Sequence, residues 1–510
     1  MTIGLINYYN KIMSKKIFIT CALPYINAEP HLGHVFEFIQ GDCFARFHKV
    51  IGDDVYFTAG TDENSLKNII ASKEHNVSLK EWIDEKTNSF MKLKDDFNIC
   101  FDDFIRTTDT RHHLGAQKLW SNMDKKDIVK KNYEGLYCVG CETFYTEDEL
   151  VDGLCPEHKK APEKISEENY FFVLKNYKEF LIDKIEKGEW CIMPESRRNE
   201  MLSFLKGELF DVSVTRSKKR SEGLGIEIPE DVGQVLWVWI DALSNYINVL
   251  DYANQGELYK KWWEGSDERW HFLGKGILRF HAVFWPAFLQ SAGVKLPTHL
   301  FCHGYITVNG EKMSKSLGNS ANPRDILSKY PLDSIRYYLM KDVPPGDDGD
   351  FNEVNLVSRH NSELCSSYGN LISRVFTLGE KYGKSIKLSS NDLDSDIKDL
   401  VTKYIDNFSK VKINDAVGNA FDLIGRINKY ISDEKPWSLI ESDGVNFERI
   451  ISSSTIAIIY AVMLLMPIMP GSSQKIFQHL GLDFKNLKDL ENINSLEIEF
   501  KKPDNLFNRI

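Results

Sequence analysis

The sequence predicts an α/β domain on a parallel sheet, interrupted by a cysteine-bearing insertion and followed by an all-α bundle. Three observations carry this. The β-rich runs "KKIFIT" and "DVYFTAG" are separated by about one helix length, the βαβ pattern of a parallel sheet covered by helices. A charged segment from about Leu114 to Ile228 breaks the alternation and contains a C-x2-C and a C-x2-H pair. After "VPPGDDGDFNE" the chain turns to long amphipathic stretches such as "DAVGNAFDLIGRINKYISDEKPW". There is no internal repeat and no low-complexity segment.

With 510 residues the chain exceeds a single core, so two to four domains are expected. Hydrophobic residues make up 42% and charged residues 27%, and no unbroken apolar run reaches the ~20 residues of a membrane span. "IAIIYAVMLLMPIMPG" comes nearest, but its two prolines mark it as a buried helix end. The first fifteen residues fit neither a secretory leader nor a transit peptide. Nine cysteines without dense pairing predict a reducing compartment, so a cytoplasmic location is expected. A formal charge of −11 argues against non-specific nucleic-acid binding, which rests on many phosphate contacts. A local reading surface stays open, because positive and negative residues nearly balance from Phe351 onward.

Taken in order, "KKIFIT" is a strand that hands over to a helix through "PYINAEPHLGH". His31 and His34 stand at i and i+3, on one face of the first helical turn; Pro30 suits the start and Gly33 lets something approach closely. A helix amino end attracts phosphate, and imidazoles there can donate to phosphate oxygens. By itself this spacing is more often a capping or packing pair. Zinc lacks a third ligand nearby.

Within the insertion, Cys138, Cys141, Cys155 and His158 form two knuckles that suit one tetrahedral, structural zinc ion. The strand-then-helix alternation resumes at "QVLWVWIDAL" and "RWHFLGKGILRFH". "HLFCHGYITVNGEKMSKSLGNS" then supplies an apolar strand, an Asn-Gly turn and a lysine loop. Lys312 and Lys315 can reach a triphosphate and offset charge on a leaving pyrophosphate; alone, such a loop is more often a solvated lysine segment.

Together, "HLGH" and "KMSKS" resemble the paired signatures of class I aminoacyl-tRNA synthetases. "ALPYINAEPHLGH", "AGTDEN", "VWIDAL", "GILRFHAVFWPA" and "HGYITVNGEKMSKS" are similar to the methionyl family in particular, over nearly the whole chain from Lys15. The resemblance implies an amino-terminal extension at 1–14 and a Rossmann-type catalytic domain in halves 15–113 and 229–297. It also implies a connective zinc-knuckle insertion at 114–228, a KMSKS-loop linking region at 298–350 and a helical anticodon-binding domain at 351–510.

The implied reaction joins methionine to ATP as methionyl-adenylate, releasing pyrophosphate, and passes the acyl group to the 3′ end of tRNA(Met), initiator and elongator alike. The resemblance assigns ATP to His31, Gly33, His34, Lys312 and Lys315, with magnesium, and places Arg216 near the adenylate. It assigns methionine to Ala22, Leu23, Tyr25, Trp239, Ala242, Tyr246, Ile277 and His281, with Asp62 on the ammonium. Aromatic and aliphatic walls suit a polarizable thioether. Asn355, Arg359 and Trp437 match positions that read the anticodon, since stacking and polar contacts suit unpaired bases. Zinc would be one structural ion.

Two positions depart from the family pattern. "GTDENS" has Asn64 where histidine is common, and "GKGI" has Gly276 where aspartate is usual. The rivals are a branched-chain or cysteine synthetase and a non-catalytic RNA-binding relative. Against them stand the short insertion, with little room for an editing domain, the bulky aromatic pocket and the two intact signatures. A monomer with no membrane association is expected.

Overall fold

The computed structural model describes residues 14–138, 143–145, 147–156, 159–237, 239–308, 310–312, 322–389 and 392–510. Six strands form the central sheet: Lys16–Cys21 (β1), Asp54–Thr61 (β2), Asp103–Arg106 (β3), Cys191–Met193 (β4), Glu268–Gly274 (β5) and His299–His303 (β6). All neighbours are parallel, in the order β3-β2-β1-β5-β6-β4. β1 is buried from Ile17 to Cys21, as expected of a strand covered on both faces. The chain lays β2 and β3 on one side of β1 and later returns with β5 on the other. That reversal opens a crevice at the carboxyl ends of β1 and β5, where such sheets bind ligands.

The helices that matter for the site are Leu32–Ile51 (α1), Thr110–Asn122 (α2) and Trp239–Asn248 (α3). Beyond the sheet follow Leu332–Asp342 (α4), Glu353–Arg359 (α5), Asn370–Tyr382 (α6), Asp394–Ser409 (α7), Ile413–Glu434 (α8) and Gly444–Leu465 (α9). α1 ends at Gly52, whose φ of 95° provides the left-handed cap that a side chain would resist. α9 is long and apolar enough to cross a membrane by composition, yet 89% of its apolar window is buried inside the protein. It is the core helix of the bundle.

The insertion folds as a four-stranded antiparallel sheet of Thr143–Tyr145, Ile128–Cys138, Glu163–Phe172 and Val212–Ser213. The chain's elements depart from the expected boundaries in five places. α2 runs through the 113/114 boundary. β4 lies inside the expected insertion but pairs with β6 of the central sheet, a three-residue match too short to leave a periodic signal. Gln234, Val235 and Leu236 of "QVLWV" lie in the strand Asp231–Leu236, which joins a separate antiparallel sheet with Thr215–Ser217 and Ile226–Ile228, so after the insertion the central sheet resumes at β5. Similarly, β6 belongs to the catalytic sheet although it falls within the expected linking region. Gly349–Phe351, which straddles the 350/351 boundary, pairs in parallel with Ile306–Val308.

The bundle is fastened to the sheet domain by a buried ion pair. Arg336 on α4 is fully buried and donates to Asp42 on α1 at 2.5 Å, to the Phe97 carbonyl at 3.0 Å and to the Ile468 carbonyl at 2.8 Å. Phe47 of α1 stacks on Phe408 of α7 with centroids 4.5 Å apart, a contact worth ~1 kcal/mol beyond its buried area.

Candidate active site and RNA-reading face

His31 is the N-cap of α1, and its Nδ1 accepts from Gly33 N at 3.1 Å. His34 Nδ1 accepts from His31 N at 3.2 Å, closing a reciprocal capping box. The rings stack with centroids 3.6 Å apart. Because each Nδ1 accepts from an amide, each ring carries its hydrogen on Nε2. Capping and phosphate binding are therefore compatible: one nitrogen holds the turn and the other is a donor. Burial, followed by the neighbouring His31 and His303, pushes the His34 pKa well below the usual histidine value, so this ring is neutral.

The end of β1 leads into the same region. Ala22 N donates to Phe272 O and to the Glu37 carboxylate, both at 2.9 Å. Half-buried Leu23 lies so close to Gly60 that a Cβ there would sit 2.7 Å from Leu23 Cδ2. Tyr25 pairs with Asp62 in an isolated parallel bridge, in which Asp62 N donates to Pro24 O at 2.9 Å. Asp62 is 5% exposed, and its Oδ1 accepts from Asn64 N at 3.3 Å.

The opposite wall comes from α3 and the segment after β5. Trp239 stacks on Phe280 at 3.4 Å, and Ala242 is half-buried one turn further on. Tyr246 Oη donates to His281 Nε2 at 2.7 Å, while His281 Nδ1 donates to the Ile277 carbonyl at 2.9 Å. Those roles fix one tautomer, and burial lowers the His281 pKa to about 4, against the Ile277 carbonyl, so the ring is neutral. Gly276 is exposed, and a Cβ at this position would meet Tyr305 Oη at 2.6 Å. The tyrosine hydroxyl therefore occupies space that a side chain at 276 would need.

Arg216 is 2% exposed, with its guanidinium over Tyr137 at 4.3 Å and Trp237 at 4.9 Å. Its Nε and one terminal nitrogen have no hydrogen-bond acceptor among the described residues, a state that suits an anionic ligand. The Lys312 backbone pairs with Thr307 in an antiparallel hairpin. The Lys312 side chain and all of Lys315 lie outside the described residues.

Sequence reasoning missed Glu37 and His303. Glu37 on α1 accepts from Ala22 N and meets His303 Nε2 at 2.9 Å, while His303 Nδ1 donates to Gly304 O at 2.7 Å. This pair ties the histidine-bearing helix to the ends of β1 and β6. The signal was a glutamate one turn into an apolar helix, which local patterning reads as a surface position.

Cys138 ends its strand 4% exposed, and Cys155 is fully buried in a turn closed by Cys155 N to Lys160 O and Lys159 N to Cys155 O bonds. They are one buried thiol from each of the two cysteine-bearing pairs, and among the described residues no group of three or more metal-ligating side chains is assembled. Cys141 and His158 lie outside the described residues. On the bundle, Asn355 is exposed on α5, whereas Arg359 is held by Asp342 at 2.8 Å and Glu363 at 2.6 Å. Trp437 is 49% exposed at the turn after α8, unusual for an indole and suited to stacking.

A parallel sheet with a stacked histidine pair at the helix after its first strand is the arrangement of a class I tRNA synthetase. The family model described as "tRNA synthetases class I (M)" matches residues 17–166 and 158–376. Methionine--tRNA ligase of Thermotoga maritima is 38% identical over 94% of this chain and 77% of that protein. The Clostridium tetani enzyme of that name is 37% identical over 98% and 79%. The Mycobacterium tuberculosis methionyl-tRNA synthetase structure, in complex with methionyl-adenylate, superposes with a TM-score of 0.89 at 34% identity, covering 97% of this chain and all of that one. The chain belongs to the methionyl-tRNA synthetase family of class I tRNA synthetases.

Proposed function

We propose that this chain is an ATP-dependent methionine--tRNA ligase. The observation that carries this reading is the stacked His31–His34 pair, both Nε2 atoms donors, at the switch point of a sheet superposable on a methionyl-adenylate complex. Methionine's carboxylate attacks the α-phosphate of ATP, pyrophosphate leaves with the electron pair, and the acyl group then passes to the 3′-terminal ribose of tRNA(Met). His31 and His34 donate to phosphate oxygens as charge develops, and the amide of Gly33 keeps the His31 ring in place. Arg216, buried with two nitrogens that have no acceptor among the described residues, offers its charge to the adenylate phosphate. Lys312 and Lys315 complete the clamp on ATP.

On the amino-acid side, Asp62 takes the ammonium. Ala22, Leu23, Tyr25, Trp239, Ala242, Tyr246, Ile277 and His281 enclose the thioether, with His281 neutral. Magnesium, bound with ATP, would neutralise phosphate charge. One zinc ion on Cys138, Cys141, Cys155 and His158 would hold the insertion together. Asn355, Arg359 and Trp437 read the anticodon of initiator and elongator tRNA(Met), and the enzyme works as a cytoplasmic monomer. The test is pyrophosphate exchange into ATP with each amino acid in turn. Methionine should drive it best, and faster exchange with any other amino acid overturns the reading.

A further inference from the structure

Asp241 stands on the first turn of α3, between Trp239 and Ala242, and is 1% exposed. Its two carboxylate oxygens take donors from two other elements. Oδ2 accepts from Asn64 Nδ2 at 2.9 Å, and Oδ1 accepts from His112 Nε2 of α2 at 2.7 Å. Asn64 also donates its backbone N–H to Asp62 Oδ1 at 3.3 Å. One residue thus orients the Asp62 carboxylate and fastens its loop to α3. Behind His112, Asn248 Nδ2 donates to the His112 carbonyl at 3.1 Å, and Gly115 makes room, since a Cβ there would come within 1.9 Å of Asn248 Oδ1. Asn64 is 4% exposed and His112 and Asn248 are fully buried.

A buried carboxylate needs compensation, and among the described residues Asp241 has no lysine or arginine partner. An apolar side chain would fill the space without that cost. What the carboxylate adds is a fixed separation between the loop bearing Asp62 and the helix bearing Trp239. We propose that Asp241 and Asn64 form a strut that positions Asp62 against the methionine ammonium, making both positioning residues for amino-acid recognition. This rests on the reading of Asp62 as the ammonium ligand. Asn64 replaces the histidine common in the family, so the strut here is made by an amide.

The test is equilibrium binding to the full chain, followed by tryptophan fluorescence, with two probes. Methioninol carries the ammonium but no carboxylate, and 4-(methylthio)butanoate carries the carboxylate but no ammonium. Asn64→Ala and the near-isosteric Asp241→Asn should each weaken methioninol about tenfold, the scale of one charge-assisted hydrogen bond, and leave the des-amino probe within about twofold. Asn64→His, which supplies a ring N–H in place of the amide, should bind methioninol within about twofold of the native chain. Equal weakening of both probes, or of neither, while Asp62→Asn still selectively weakens methioninol, overturns the strut and leaves the Asp62 reading intact. Unchanged methioninol binding by Asp62→Asn overturns the Asp62 reading, and the strut with it.

Discussion

Replacing Arg336 by methionine removes the charge that fastens the bundle to the histidine-bearing helix while keeping most of the side-chain volume. Two unit charges ~4 Å apart at an effective dielectric of ~20 attract by ~4 kcal/mol, within the ~3–5 kcal/mol lost when one member of a buried pair is removed. Asp42 would keep its bonds to Arg46 Nε at 2.9 Å and Cys100 N at 2.6 Å, which favours the lower end, ~3 kcal/mol. Burial raises the Asp42 pKa, but Arg336 and then Arg46 outweigh it and hold the carboxyl below its ordinary value. A carboxylate with a depressed folded-state pKa contributes fully above the unfolded value of about 3.9 and loses that contribution as pH falls through the folded value. The difference between the native protein and Arg336→Met, measured by urea unfolding with circular dichroism, should therefore be ~3 kcal/mol at pH 7 and shrink below pH ~4. A double-mutant cycle with Asp42→Asn should recover most of it as coupling. A loss under ~1 kcal/mol, or one independent of pH from ~3 to ~7, refutes the argument.

Tyr246→Phe leaves His281 Nε2 a buried acceptor without its donor, at a cost of ~1–3 kcal/mol, so the KM for methionine in pyrophosphate exchange should rise roughly tenfold; an unchanged KM would place the pair outside the pocket. Trp437→Ala should slow tRNA charging at least tenfold, as expected for one lost base-stacking contact of ~1–3 kcal/mol, and leave pyrophosphate exchange intact; equal loss of both would make Trp437 a packing residue. His281, lowered to about 4 by burial, binds a proton less readily folded than unfolded, so stability should fall as pH drops from about 6.5 towards that value. His281→Gln should flatten the dependence of Tm on pH over that window, and an unchanged slope would contradict the burial argument.

What the sequence alone determined is what depends on near neighbours. The helix start at His31 is legible because Pro30, Gly33 and the i, i+3 histidines act within one turn, and the structure adds only which nitrogen faces which amide. The run of β1 and the amphipathic period of α8 are likewise local signals of period. Tertiary structure alone decided the pairings between distant segments. β4, inside the insertion, joins β6, Asn64 meets Asp241 across 177 positions, and Arg336 meets Asp42 across 294. No periodicity encodes such contacts: a buried carboxylate on an apolar helix looks the same in sequence whether it is solvated, paired or bracing a pocket. Only the folded chain, in which most buried polar groups must find a partner, says which.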